Sequence, residues 1–405
     1  MLDIPNNEAR SVRFDEFSTP KHLAHATEQA IKRNYQDFLI VDVDSHHYEN
    51  ENYPEVFEYI ESPVMRREAL NGGGVANGFL NTQVGAQNLS GRITRHKGRK
   101  IEKPRLSKHR DIGMTLDWMD AMGVDYACLF PTPMLFLSVH PIPEVEAAMS
   151  QAYNRWLCER ILAEESRIVS MLYLPFNDPE AAYRTVKEFG DKKGVVGFMV
   201  TSPRYQSVHS NEFIKTYALI EEMGKVLSFH AAYNWEDRAL SMCNRFISVH
   251  ALGFMFFNMI HMTNWVINGL PERFPKLKVM WIESGLTWAY ALMQRLDHSY
   301  MMRTSDAPQL KRKPSEYMRE MYYTTQPMEM PDDRALLQAT FRSIKAETQL
   351  LWASDYPHWD FDLPSTIYDL PFLEEQSKRN ILGGNAAKLF KLDPKPVKKL
   401  PGLIV

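Results

Sequence analysis

Phe38-Leu39-Ile40-Val41-Asp42-Val43-Asp44-Ser45-His46-His47-Tyr48-Glu49 is the stretch on which the fold reading turns. Its first half is almost wholly apolar, as a strand buried on both faces requires. Its second half places carboxylates and imidazoles where that strand runs out. Residues two apart on a strand project to the same side, so Asp44 and His46 share one direction. Asp42 has the same parity one pleat deeper, and His47 points the other way. Working outward, short apolar runs recur at 38–43, 126–130, 168–174, 195–200, 226–229, 279–282, 321–324 and 350–353. Segments with helical period lie between most of them, at 144–163, 179–189, 211–223 and 246–268. Strands alternating with helices predict an α/β fold, a (β/α)8 TIM barrel. A doubly wound open sheet is the alternative, weakened because no GxGxxG turn follows the first strand.

Three segments surround or interrupt the barrel, which is assigned to residues 37–392. Residues 1–36 form an amino-terminal extension, with a helix capped by Thr19 and entered at Pro20. An insertion over residues 50–112 follows the first strand. Its stretch 91–110, GRITRHKGRKIEKPRLSKHR, holds nine Lys/Arg and one acid. A loop of that length reads as a lid, with Arg92 and Arg95 available to grip a substrate carboxylate. A solvated surface excursion is the plainer reading of the same charge run. Residues 393–405 form a tail containing Pro394, Pro396, Lys398, Lys399 and Pro401, expected to be extended and to pack on a partner.

Composition excludes several classes. The 405 residues carry 47 Lys+Arg against 50 Asp+Glu, a net charge of −3. That balance gives no general attraction to nucleic acid or to an anionic membrane. The 3 cysteines form no CxxC pair, which excludes a disulfide scaffold and a cysteine-ligated zinc site. No uninterrupted apolar stretch approaches the roughly 20 residues of a membrane span, and no signal-peptide pattern opens the chain, so a cytoplasmic protein is expected. Neither a G-x-S-x-G elbow nor a P-loop is present.

The chemistry of a barrel sits at the carboxyl ends of its strands. Asp44 and His46 follow strand 1, His230 ends strand 5, Glu283 ends strand 6 and Asp355 ends strand 8. His250 and His261 come after strand 5. Imidazole with carboxylate suits zinc, iron or manganese. Taken singly, a histidine is more often a hydrogen-bonded partly buried residue, and an aspartate after a strand is often a helix cap. Convergence on one pocket is what favours a metal site. His250 and His261 are about 16 Å apart if one helix carries both, so only one can join a single centre, and His250 is nearer strand 5.

Further marks are Phe229-His230, the run from Gly269 to Lys278, Trp281-Ile282-Glu283-Ser284-Gly285, Ala353-Ser354-Asp355-Tyr356-Pro357-His358 and Gly384-Asn385-Ala386-Ala387-Lys388-Leu389-Phe390. With them, residues 38–391 resemble the amidohydrolase superfamily, in its branch related to aminocarboxymuconate semialdehyde decarboxylase. The resemblance implies the barrel and a metal held by Asp44, His46, His230 and Asp355. Two features depart from the pattern. Asp44-x-His46 replaces the His-x-His of many members. Glu283 stands where the decarboxylases hold a catalytic histidine, so proton delivery in the manner of an imidazolium is not expected from it.

The surplus of carboxylates also resembles a small oxygenase group of this superfamily, the α-aminoisobutyrate hydroxylase type. That likeness implies two ions, iron or iron with manganese, the second held by His250, Glu283 and Glu49. It also implies Asp355, Glu283 and His250 as catalytic groups, with His358 beside Arg92 and Arg95 at the substrate. A homo- or hetero-oligomer with a second amidohydrolase-fold subunit, and electron-transfer proteins, would be its partners. The leading expectation is therefore a dinuclear hydroxylase of a small carboxylic or amino acid. The alternative is a zinc- or manganese-dependent hydrolase or non-oxidative decarboxylase, with Asp355 as base. A third reading is a non-catalytic, metal-binding partner subunit.

Overall fold

Eight parallel strands stand in the order of the sequence: β1 (Val41–His47), β2 (Tyr126–Pro131), β3 (Ile168–Tyr173), β4 (Val195–Thr201), β5 (Val226–His230), β6 (Lys278–Ile282), β7 (Tyr322–Thr324) and β8 (Leu350–Leu351). These come from a computed structural model that describes residues 19–71, 108–204, 206–358, 360–398 and 400. Each strand pairs in parallel with the next. Backbone bonds from Val43 N to Trp352 O (3.2 Å), from Asp355 N to Asp44 O (2.8 Å) and from His46 N to Tyr356 O (2.8 Å) join β1 to the chain at β8. The predicted (β/α)8 barrel is the observed fold.

The strands form where apolar runs can be buried on both faces, and helices supply the outer cover. The helix Pro179–Phe189 shows how. Asp178 caps it by accepting from Glu180 N and Ala181 N, Pro179 opens it, and Ala181, Ala182, Val186 and Phe189 turn inward. The first strand departs from its predicted span of 38–43. It begins at Val41 and continues through Asp44, His46 and His47, all buried. Apolar patterning misses such an extension because the buried polar groups partner one another instead of water.

Among the described residues one helix, Phe246–Ile267, is long and apolar enough to cross a membrane, and 44% of its most apolar stretch is buried in the chain. Its Trp265 meets Phe229 edge-on at 5.8 Å, and Phe229 stacks on Trp281 at 4.6 Å.

The terminal segments close on the barrel. The helix Thr19–Lys32 buries Ala26 and Ala30. The tail, expected to pack on a partner, folds back on its own chain. Lys398 is only 2% exposed, and its Nζ donates to Phe38 O (2.5 Å) and to Asp125 Oδ2 (2.8 Å). The amides of Val397 and Lys398 donate to Asp125 Oδ1 (2.7 and 3.0 Å), and Ile40 N donates to Asp125 Oδ2 (2.8 Å). A buried ammonium demands such a partner, and this one draws the tail in. Within the insertion, the described residues form the helices Tyr53–Glu58 and Pro63–Leu70 and the start of Arg110–Met122. Arg92 and Arg95 lie outside the described residues.

Candidate metal centre

Strand parity brings Asp44 and His46 to the barrel mouth, and β5, β6 and β8 deliver His230, Glu283 and Asp355 beside them. Ligand atoms of Asp44, His46, His230 and Glu283 lie within 4.8 Å of one another, and so do those of His46, Asp355 and His358. All six residues are buried.

Hydrogen bonds fix which imidazole nitrogens face the centre. His46 Nδ1 is 2.9 Å from Pro131 O, and His230 Nδ1 is 2.9 Å from Ala231 O. A carbonyl can only accept, so both Nδ1 atoms carry hydrogen and both Nε2 atoms can present a lone pair. His46 Nε2 and His230 Nε2 each lie 3.2 Å from Asp44 Oδ1. His46 Nε2 is also 3.3 Å from Asp355 Oδ1. With no metal, His230 Nε2 can carry a proton donated to Asp44; a dication between these atoms would take that proton's place. Asp44 Oδ2, His46 Nε2, Glu283 Oε2 and Asp355 Oδ2 are buried without a hydrogen-bond partner. The donor set and its orphaned atoms fit a divalent transition metal.

Beneath the centre, Asp42 holds the β8 end in place. Its carboxylate accepts from Ser354 N (2.9 Å), from the Ser354 hydroxyl and from Asp44 N (3.1 Å). Glu283 and Asp355 both adopt left-handed backbone, φ 58° and 57°. Side chains rarely tolerate that conformation without compensation elsewhere.

Electrostatics separate the roles. Burial pushes the His46 imidazole down to about 4, helped by His358. Burial opposes ionisation of Asp44, but His230 and His46 outweigh it and hold the carboxyl below its usual range. His230 is raised although burial opposes this, because Asp44 faces it. Burial, reinforced by Asp355, Asp44 and Asp360, holds Glu283 well above the carboxylate range. Asp355 is likewise raised by burial, despite the opposing effect of His46, with Asp44 and Asp360 adding to the rise.

A dication bound by Asp44, His46, His230 and Asp355 must displace the protons that Asp355 and His230 hold in its absence. Metal affinity is therefore expected to rise with pH and to weaken on acidification. Calorimetric titration with Mn²⁺ in two buffers of different ionisation enthalpy reads this directly. Net proton release is the expected result, and binding with no proton exchange would contradict it.

Two expected ligands lie elsewhere. Glu49 spends both oxygens on the backbone, accepting from Thr132 N and Met134 N at 2.8 Å each. Burial raises its carboxyl to about 8, and it organises the β2 loop instead of reaching the metal cluster. His250 belongs to neither ligand group. The helix turns its ring onto Phe254 (4.3 Å) and Phe246 (5.3 Å), with Nε2 3.9 Å from Asp360. His358, expected beside the substrate, lies within the cluster. It stacks on His46 at 4.2 Å, and its Nδ1 donates to Asp355 Oδ1 at 2.7 Å. Thr132 and Asp360 were not singled out from the sequence. Thr132 Oγ1 is 3.2 Å from His358 Nε2. Asp360 adds negative charge to Glu283 and Asp355.

Comparison with known proteins returns the same architecture. A family model described as Amidohydrolase matches residues 105–392. The chain is 25% identical over 255 residues to γ-resorcylate decarboxylase of Polaromonas sp., covering 59% of this chain and 75% of that one. It is 20% identical over 275 residues to 2-amino-3-carboxymuconate-6-semialdehyde decarboxylase of Dictyostelium discoideum, covering 67% and 74%. Among solved structures, 5-carboxyvanillate decarboxylase of Novosphingobium aromaticivorans, complexed with manganese and 4-hydroxy-3-methoxy-5-nitrobenzoic acid, superposes with a TM-score of 0.65 at 18% identity, over 88% of this chain and 97% of that one. A match over most of the chain, on a barrel with this donor set at its mouth, places the protein in the amidohydrolase superfamily, in the branch of the aminocarboxymuconate-semialdehyde-decarboxylase-like proteins.

Proposed function

We propose that this chain is a metal-dependent enzyme that decarboxylates a small aromatic carboxylic acid without oxidation. The observation that carries the reading is the buried cluster itself, in which Glu283 joins Asp44, His46 and His230 and burial opposes ionisation of its carboxyl. The relatives are named as decarboxylases of aromatic or unsaturated acids, which supports this reading over the dinuclear hydroxylase. Asp44, His46, His230 and Asp355 would hold one ion. A bound dication supplies electrostatic stabilisation to negative charge on substrate oxygens.

The chain's own residues supply the proton. Loss of carbon dioxide leaves an electron pair on carbon, and that carbon must be protonated. Sequence alone counted against Glu283 as donor because it is no imidazole. Burial reverses that expectation, since a neutral carboxylic acid donates as well. Glu283 Oε2 has no hydrogen-bond partner and lies 3.4 Å from His230 Nδ1, so it is the oxygen left over to face a substrate. His358 Nδ1 donates to Asp355 Oδ1 at 2.7 Å and lies 3.8 Å from Glu283 Oε1, so it positions Asp355 beside the acid.

Glu283→Gln is expected to lower kcat by about 10²–10⁴-fold, the range for loss of a positioned acid, while manganese content stays unchanged. Unaltered kcat would remove Glu283 from the chemistry. The reaction class is tested by incubating manganese-loaded protein anaerobically with hydroxybenzoic acids and measuring carbon dioxide. Release without dioxygen or reductant is expected; a strict need for both would overturn the reading. One observation favours the second reading, a two-ion hydroxylase: six residues able to offer a ligand atom form two overlapping groups that share His46, more than one ion uses. Metal counted per chain separates the two readings.

A further inference from the structure

A cleft of about 450 Å³ opens at the amino-terminal end of β8, on the opposite face from the metal centre. Three separate segments wall it: the helix Arg334–Ser343, residues 345–348 leading into β8, and residues 372–373. Its floor is aromatic, with Phe341 buried and meeting Phe372 edge-on at 5.5 Å. Arg342 and Lys345 stand on its rim, both exposed. Neither side chain has an ion pair or hydrogen bond among the described residues. The acid in the wall, Glu347, accepts from the Ser377 hydroxyl at 3.3 Å. Lys345 also acts on Glu320 of the adjoining cleft, so the positive charge above the apolar floor is carried chiefly by Arg342, with Lys345 beside it. The adjoining cleft shares Lys345, and there Arg312 is paired with Glu320 at 2.5 and 3.0 Å.

We propose that this cleft is a second, non-catalytic binding site for a small apolar monoanion, an aryl or alkyl carboxylate. The apolar body rests on Phe341 and Phe372, and the carboxylate lies between Arg342 and Lys345, where it accepts bidentately from the guanidinium. The volume is that of a small-molecule site, and the geometry is concave on three sides. Chemistry on this fold occurs at the other end of the strands, so occupancy here acts on stability or regulation and not on turnover directly. The proposal stands independently of the decarboxylase reading.

The test is calorimetric titration of the full chain with 1-naphthoate, using wild type treated with chelator so that the metal centre is out of play. One binding event is expected, accompanied by a rise in Tm with ligand concentration. Arg342→Ala/Lys345→Ala is expected to weaken it by about tenfold or more, as loss of two charge-assisted contacts implies. The uncharged 1-naphthalenemethanol should bind at least about tenfold more weakly than the acid. Both substituted residues are exposed, and circular dichroism confirms that the variant folds. No binding to the chelated protein, equal affinity in the double variant, or equal affinity for the alcohol would each overturn the proposal.

Discussion

His46→Ala protein is expected to keep its barrel and lose its divalent ion. His46 is the one residue common to both ligand groups. Its Nδ1–H is held by Pro131 O, so the ring is locked with Nε2 between Asp44 and Asp355. Removing it takes away the fixed neutral donor and leaves carboxyl groups crowded at the same point. Loss of residues that only orient a ligand costs about 10–100-fold in metal affinity, so loss of the ligand itself should exceed about 100-fold. Equilibrium dialysis against Mn²⁺, with metal counted per chain, measures this. The carbon dioxide assay should fall silent in parallel. A variant that retains a full complement of metal would move the ion away from this cluster.

The second large effect is on stability, far from the chemistry. Asp125→Ala is expected to destabilise the fold by about 3–5 kcal/mol, the range for breaking a buried ion pair by deleting one partner. Asp125 accepts from Lys398 Nζ, Lys398 N, Val397 N and Ile40 N, and all four donors lose their acceptor together. Lys398 then leaves an ammonium in the interior with only Phe38 O to receive it. Urea or guanidinium unfolding followed by circular dichroism gives the change from the shift in midpoint. A loss below about 1 kcal/mol would show that the tail detaches at little cost, because an exposed ion pair contributes no more than that.

The barrel was legible because buried parallel strands write themselves as apolar runs, and seven of the eight runs coincide closely with a strand. The first did not, since its ligand-bearing half is polar yet buried. Much of the cluster was legible for a related reason: Asp44, His46, His230, Glu283 and Asp355 all fall at strand ends, where position along the chain fixes position in space. Loops and helices lack that rule. Spacing established that His250 and His261 share a helix but not which way each ring turns. His250 faces Phe246 and Phe254, while His261 Nε2 lies 2.6 Å from Ser202 O. Glu49 is near His46 in sequence, but the backbone amides of Thr132 and Met134, 83 and 85 residues away, claim it first. Thr132 carries no titratable group and gave no signal. The burial of Glu283, which opposes its ionisation, has no counterpart in the sequence.

The left-handed backbone of Glu283 and Asp355 sets fold and chemistry against each other. Each such residue costs about 1–3 kcal/mol, and glycine or asparagine would relax either position. Selection for heat tolerance alone would therefore erode these two carboxylates early, and a lineage released from its substrate would drift toward a sturdier, inert barrel.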